Sequence, residues 1–177
     1  MGFSFDVVAP DVDDEAAFLD KEDIRRSLQG LAREKTKSAS VRHPDALVLG
    51  ADTIVVSNGI ILGKPRSKTE ARAMLNGLKG RHHSVYSAVA LACEEEGFFQ
   101  SGIEKTRVFF RDIDEREIES YIDSGEYVDK AGAYAIQGSA MVFVKKIDGC
   151  FYNVVGLPIS ATISLFNAYM TRKESHV

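Results

Sequence analysis

The sequence predicts an α/β fold with a mixed sheet, and three observations carry that prediction. Residues 46–56, Ala-Leu-Val-Leu-Gly-Ala-Asp-Thr-Ile-Val-Val, form an apolar, β-branched run that stops at Ser57-Asn58-Gly59, the pattern of a buried strand entering a hairpin. Ser67-Lys68-Thr69-Glu70 and Asp114-Glu115-Arg116-Glu117 are capping boxes, each opening a stretch with apolar residues at helical spacing. Residues 84–93 and 106–110 read as longer strands separated by the acidic turn Glu94 to Gly97. Hairpins beside helical crossovers make a mixed sheet flanked by helices.

The elements follow in order. Residues 3–8 alternate as a strand would, ended by Ala9-Pro10, and an acidic loop Asp11-Val12-Asp13-Asp14-Glu15 comes next. From Asp20 to Thr36, Ile24, Leu28, Leu31 and Ala32 mark an amphipathic helix, followed by a polar linker over 37–45. The 46–56 strand turns back through Ile60 to Leu62. Ala71, Met74, Leu75 and Leu78 stripe the next helix until Gly80, and Ile118, Tyr121 and Ile122 stripe the one after 114. Short strands are expected at 133–136 and 141–144, and a last helix from Pro158 buries Ile159, Ile163, Phe166 and Met170. With no internal repeat, low-complexity segment or linker between domains, residues 1–177 read as one domain.

Composition narrows the function. Apolar residues make up 45% and charged residues 27% of the 177, the balance of a folded soluble protein. A net charge of −4 argues against polymeric nucleic acid or anionic membrane as a partner. Cys93 and Cys150 stand far apart, without zinc or redox spacing, and read as free thiols. No apolar run reaches membrane-spanning length and no leader pattern opens the sequence, so the expected compartment is the cytoplasm.

Asp52 is the residue around which the candidate chemistry collects. A carboxylate in an apolar strand costs several kcal/mol, of order, unless a cation, hydrogen-bond donors or an open cleft compensates it. Gly50 beside it leaves room for a ligand against the backbone. Gly63-Lys64-Pro65-Arg66 follows the hairpin; Gly59 to Gly63 is one residue short of a P-loop and Pro65 stands in the Ser/Thr position, so that motif is excluded. Lys64 then reads either as a turn lysine or as a cation placed at the mouth of the hairpin. Asp129-Lys130 adjoin the small-residue run 131–133, and Gln137 offers an amide suited to a base edge. His82 and His83 face opposite ways on a strand, one buried and one exposed, and do not share a metal. Neither Gly-x-Ser-x-Gly nor a Cys-His spacing is present, so covalent catalysis has no support. Carboxylates, lysines and an amide together suit metal-assisted phosphoanhydride chemistry.

Five motifs in order make the chain resemble the Maf family of nucleoside triphosphate pyrophosphatases. They are 49–53, 63–65, 74–80, 125–138 (Gly-Glu-x-x-Asp-Lys-Ala-Gly-x-Tyr-x-Ile-Gln-Gly) and 153–158 (Asn-Val-Val-Gly-Leu-Pro). The resemblance implies an inosine triphosphate pyrophosphatase-like fold, with a long mixed sheet, two lobes around a cleft, and a homodimer. It implies hydrolysis of a nucleoside triphosphate to the monophosphate and pyrophosphate with Mg²⁺ or Mn²⁺. Asp52 would be general base and metal ligand, with Asp14 or Glu15 as the second carboxylate. Lys64 would bind phosphate, Asp129 and Lys130 would lie beside substrate, and Thr53 and Gln137 would govern substrate choice. The 129–137 motif is similar to that of the branch acting on dTTP and UTP, modified pyrimidine nucleotides being a variant of that house-cleaning role. The family's Ser-x-Ser-Pro-Arg-Arg segment, which would precede Phe3, is not in this sequence. A catalytically impaired nucleotide-binding or regulatory protein is therefore the alternative expectation.

Overall fold

A computed structural model describes residues 4–12 and 18–175. Five strands make one sheet in the order β2-β1-β3-β4-β5: β1 (Val48–Ser57), β2 (Ile60–Leu62), β3 (His82–Cys93), β4 (Phe98–Phe110) and β5 (Val144–Asp148). Among the described residues five α-helices accompany it: α1 (Ile24–Arg42), α2 (Lys68–Leu78), α3 (Glu115–Ser124), α4 (Phe151–Val155) and α5 (Ile159–Glu174). The expected mixed sheet is corrected in one respect. All four pairings among the described residues are antiparallel, because β1–β2 and β3–β4 are hairpins and each remaining connection returns the chain in the opposite sense.

Alternation along β1 and β3 divides the helices between two faces. Ile54, Val56 and Ala88 point at α1, where Leu28 and Ala32 are fully buried against them. Val55 and Val85 point the other way, into a cluster with Ala71, Leu75 and Leu78 of α2, Ile118 and Ile122 of α3, and Phe143. Farther along that face, Val89, Leu91 and Phe98 pack on Leu165 and Tyr169 of α5. Each such Leu or Ile contributes about 1.5–3 kcal/mol by leaving water. Thr53 and Ser87, opposite one another in register, lie between these two clusters. The cleft expected between two lobes falls on this polar break in an apolar face.

The predicted helix starts are present. Asp114 and Glu117 form a complete capping box. Ser67 accepts from Glu70 N, but the Glu70 carboxylate takes the amide of Arg66 instead of that of Ser67. Other expectations change. Residues 4–10 form no strand, and Phe5 and Val7 are 82% and 88% exposed; alternation makes a strand only where a sheet edge accepts its hydrogen bonds. The helix expected to end at Thr36 runs on to Arg42, because Ala39 and Ser40 are buried one turn later. Of the strands expected at 133–136 and 141–144 only Val144 belongs to one, and 131–133 and 139–143 are 3₁₀ turns. At the first of these, Gly132 and Ala133 have φ of 68° and 62°, and Asp129 just before it 59°, which no extended segment tolerates. The space beside Gly50 belongs to α1: a Cβ there would stand 2.2 Å from Thr36 Oγ1, so the close neighbour is a helix and not a ligand.

Candidate functional site

Five of the six described candidate residues meet around one cavity of about 380 Å³. Thr53 supplies one wall from β1, Lys64 comes from the turn after β2, and Asp129, Lys130 and Gln137 come from the loop after α3. The volume falls within the range of small-molecule sites.

Backbone contacts explain why segments so far apart converge. Gly132 N donates to Gly63 O at 3.0 Å, which ties the 129–133 loop to the turn that carries Lys64. Gly132 also presses on β1; a Cβ there would lie 3.0–3.2 Å from the Val55 side chain, at a φ that L-residues avoid. Gln137 is placed by Glu126, whose carboxylate accepts from Ser139 N at 2.8 Å and Ser139 Oγ at 2.7 Å. The Ser139 hydrogen bonds hold the Glu126 carboxyl below its usual range. Left-handed backbone at Asp129 and Ala133 concentrates strain in the loop that lines the cavity.

The side chains of Lys64, Asp129, Lys130 and Gln137 make no hydrogen bond or ion pair among the described residues. Two cations, one anion and an amide thus border the cavity uncommitted, and the balance favours an anionic ligand with polar edges.

Asp52 leaves β1 on the opposite face from Thr53. Its Oδ1 accepts from Lys35 Nζ of α1 at 2.7 Å, with the two side chains 18% and 12% exposed. The apolar strand's carboxylate has the cation it needed. Lys35 went unread in the sequence, although a signal existed: it lies four residues after Leu31 and seven after Leu28, on the buried stripe of the helix. Asp14 and Glu15 lie outside the described residues. Asp11, at the head of the acidic stretch, does bond through its amide to Ser38 Oγ at 3.2 Å, one helical turn beyond Lys35. Among the described residues no group of three or more His, Cys, Asp and Glu could hold a metal.

Beneath the cavity sits a hydrogen-bonded pair in which the expectation of one buried and one exposed histidine is met. His83 is 1% exposed, while His82 is at the surface. His83 Nε2 and the Tyr134 hydroxyl are 2.8 Å apart, and both rings pack edge-on against Phe110. Burial, with His82 as a smaller cause, pushes the His83 pKa down from 6.5 to about 4, and burial raises that of Tyr134. The folded state therefore prefers neutral His83. Its stabilisation is complete above about pH 6.5 and is lost as the pH falls toward 4, because the unfolded chain takes the proton first. The loss is on the order of 3 kcal/mol. Denaturant melts at pH 7, 5.5 and 4 should show it, with a shallower slope in His83→Gln.

These features describe an α/β protein with a cation-bearing, amide-edged cavity on a sheet face, the class that binds small polar anions. The chain belongs to the Maf family: the family model described as Maf-like protein matches residues 1–169. It is 43% identical over 160 residues to a dTTP/UTP pyrophosphatase of Syntrophomonas wolfei, covering 90% of this chain and 84% of that one. A dTTP/UTP pyrophosphatase of Symbiobacterium thermophilum is 42% identical, with 96% and 85% covered. One of Pelotomaculum thermopropionicum is 46% identical, with 78% and 73% covered. No helix among the described residues is long and apolar enough to cross a membrane.

Proposed function

We propose that this chain hydrolyses dTTP and UTP to the monophosphate and pyrophosphate. The observation that carries the reading is the convergence of Thr53, Lys64, Asp129, Lys130 and Gln137 on one cavity, in a chain whose relatives bear that activity in their names. Lys64 and Lys130 neutralise phosphate oxygens, and cations placed before reaction stabilise charge that grows on a departing pyrophosphate. Thr53 and Gln137 contact the base, and Asp129 lies beside the substrate on the same loop as Lys130. Asp52, paired with Lys35, is the general base that takes a proton from the attacking water.

The donor set fits a divalent metal. Asp52 is a hard oxygen donor, and Asp11, at the head of the acidic stretch, bonds through its amide to Ser38 of α1, one turn from the Lys35 that meets Asp52. Mg²⁺ commonly takes one or two carboxylates and leaves its other positions to phosphate and water. Mg²⁺ or Mn²⁺ would be held by Asp52 with Asp14 or Glu15, and would there screen phosphate charge.

One observation favours a second reading, a nucleotide-binding protein with impaired turnover: Asp52 and the cavity lie on opposite faces of β1. Pyrophosphate release from dTTP, UTP and GTP with Mg²⁺ or Mn²⁺ separates the two. Pyrophosphate from the pyrimidine nucleotides supports the enzyme; nucleotide binding without release supports the alternative; orthophosphate as the product overturns the proposed reaction. A cytoplasmic homodimer completes the proposal. Free Cys93 and Cys150 suit a reducing compartment, and light scattering checks the assembly.

A further inference from the structure

The Thr53 and Ser87 hydroxyls are committed to the protein in a way that sets what Thr53 can offer a ligand. Three contacts surround them: Thr53 Oγ1 to Ser87 Oγ at 2.7 Å, Thr53 Oγ1 to Gly156 O at 3.2 Å, and Ser87 Oγ to Asn153 O at 3.0 Å. Each carbonyl can only accept, so each hydroxyl–carbonyl bond uses a hydroxyl proton, and the hydroxyl–hydroxyl bond needs one as well. Two protons thus face three contacts. If Ser87 donates to Asn153 O, Thr53 donates to Ser87 or Gly156. If Ser87 donates to Thr53, the Thr53 proton goes to Gly156. Both arrangements use the Thr53 proton within the protein and leave at least one lone pair of Thr53, a residue that lines the cavity, without a donor. Ser87 is fully buried, so no solvent relaxes the constraint.

We propose that Ser87 is a positioning residue that locks Thr53 as an acceptor, so that the cavity selects a base whose Watson–Crick edge presents an N–H. Uracil and thymine carry that donor at N3, between two carbonyl oxygens that an amide such as Gln137 can serve. Cytosine puts a lone pair at N3, and facing an acceptor it leaves both groups without a partner. The inference rests on the proposed function and deepens it by naming the base feature that is read.

The test compares kcat/KM for UTP, CTP and the triphosphate of N3-methyluridine, in which a methyl group replaces the N3 donor, in the wild type and in Ser87→Ala. Wild type is expected to prefer UTP over both by about 100-fold, the size of discrimination that a mismatched hydrogen-bonding site gives. Ser87→Ala removes the shorter contact and lets the Thr53 hydroxyl turn its proton toward the cavity. Turnover of UTP should fall about tenfold, while that of CTP, which gains a donor at N3, and of the methylated nucleotide does not fall. A merely structural role would lower all three by one factor and leave the ratios intact, which overturns the assignment to Ser87. Equal wild-type turnover of UTP and N3-methyluridine triphosphate overturns the acceptor reading while the pyrophosphatase stands. Cleavage of purine but not pyrimidine triphosphates removes the proposed function and this inference together.

Discussion

Asp52→Asn is expected to lower pyrophosphate release from UTP by about 10²–10⁴-fold, the range of a lost general base. The substitution keeps the shape of the side chain and an oxygen that still accepts from Lys35 Nζ, which lies 2.7 Å from Asp52 Oδ1. The basic carboxylate alone disappears. Neutralising one partner of a mostly buried ion pair also destabilises. Melting temperature is therefore measured beside activity, and the rate loss should greatly exceed any unfolding at the assay temperature. UTP binding, followed by calorimetry, should persist, because the cavity residues are untouched. A variant retaining more than about a tenth of wild-type turnover would remove Asp52 from proton transfer.

Asn153→Leu is expected to give the largest loss of stability among substitutions near the site. Asn153 is fully buried at the centre of α4. Its Nδ2 donates to Val85 O at 3.1 Å and to Thr106 Oγ1 at 2.9 Å, and Thr106 in turn exchanges two hydrogen bonds with the Cys150 backbone. One amide thus joins α4 to β3 and β4. Leucine fills a similar volume but deprives two buried acceptors of a donor, at about 1–3 kcal/mol each. It also removes Asn153 Oδ1, a buried oxygen without a partner among the described residues, which offsets part of that loss. A net cost of about 2–4 kcal/mol follows, or about 5–15 °C in melting temperature for a chain of this length. Because α4 leads into Gly156 beside Thr53, KM for UTP should rise as well. A melting temperature within about 2 °C of wild type would mean that packing alone holds α4.

Local chemistry made several parts of this protein legible. The hairpin at Asn58-Gly59, the helix starts at Ser67 and Asp114, and the left-handed stop at Gly80 each depend on residues within one turn of one another. Lys64, Asp129, Lys130 and Gln137 were readable as candidates because their neighbours form a collinear series of family motifs. The acidic stretch around Asp14 was equally visible in sequence and lies outside the described residues. The strand expected over 3–8 had the right alternation, yet its described part has no edge to pair with, and a strand is a property of two chains. The linker over 37–45 looked polar enough to be free, yet Ala39 and Ser40 found a surface to bury against.

By itself, then, the sequence determined the helix caps, the turns, the apolar stripes and the residue types of the site, all of which follow from interactions over a few residues. Tertiary structure decided which residues stand together. Only antiparallel registration of β1 with β3 sets Thr53 opposite Ser87, and only the Gly132–Gly63 contact draws Lys64 to the 129–137 loop. Side-chain alternation on β1 sends Asp52 to Lys35 and Thr53 to the cavity, although the two are adjacent in the chain. The reason is physical: proximity across a sheet is set by hydrogen-bond register and by which face each side chain leaves, and neither is encoded within any short segment.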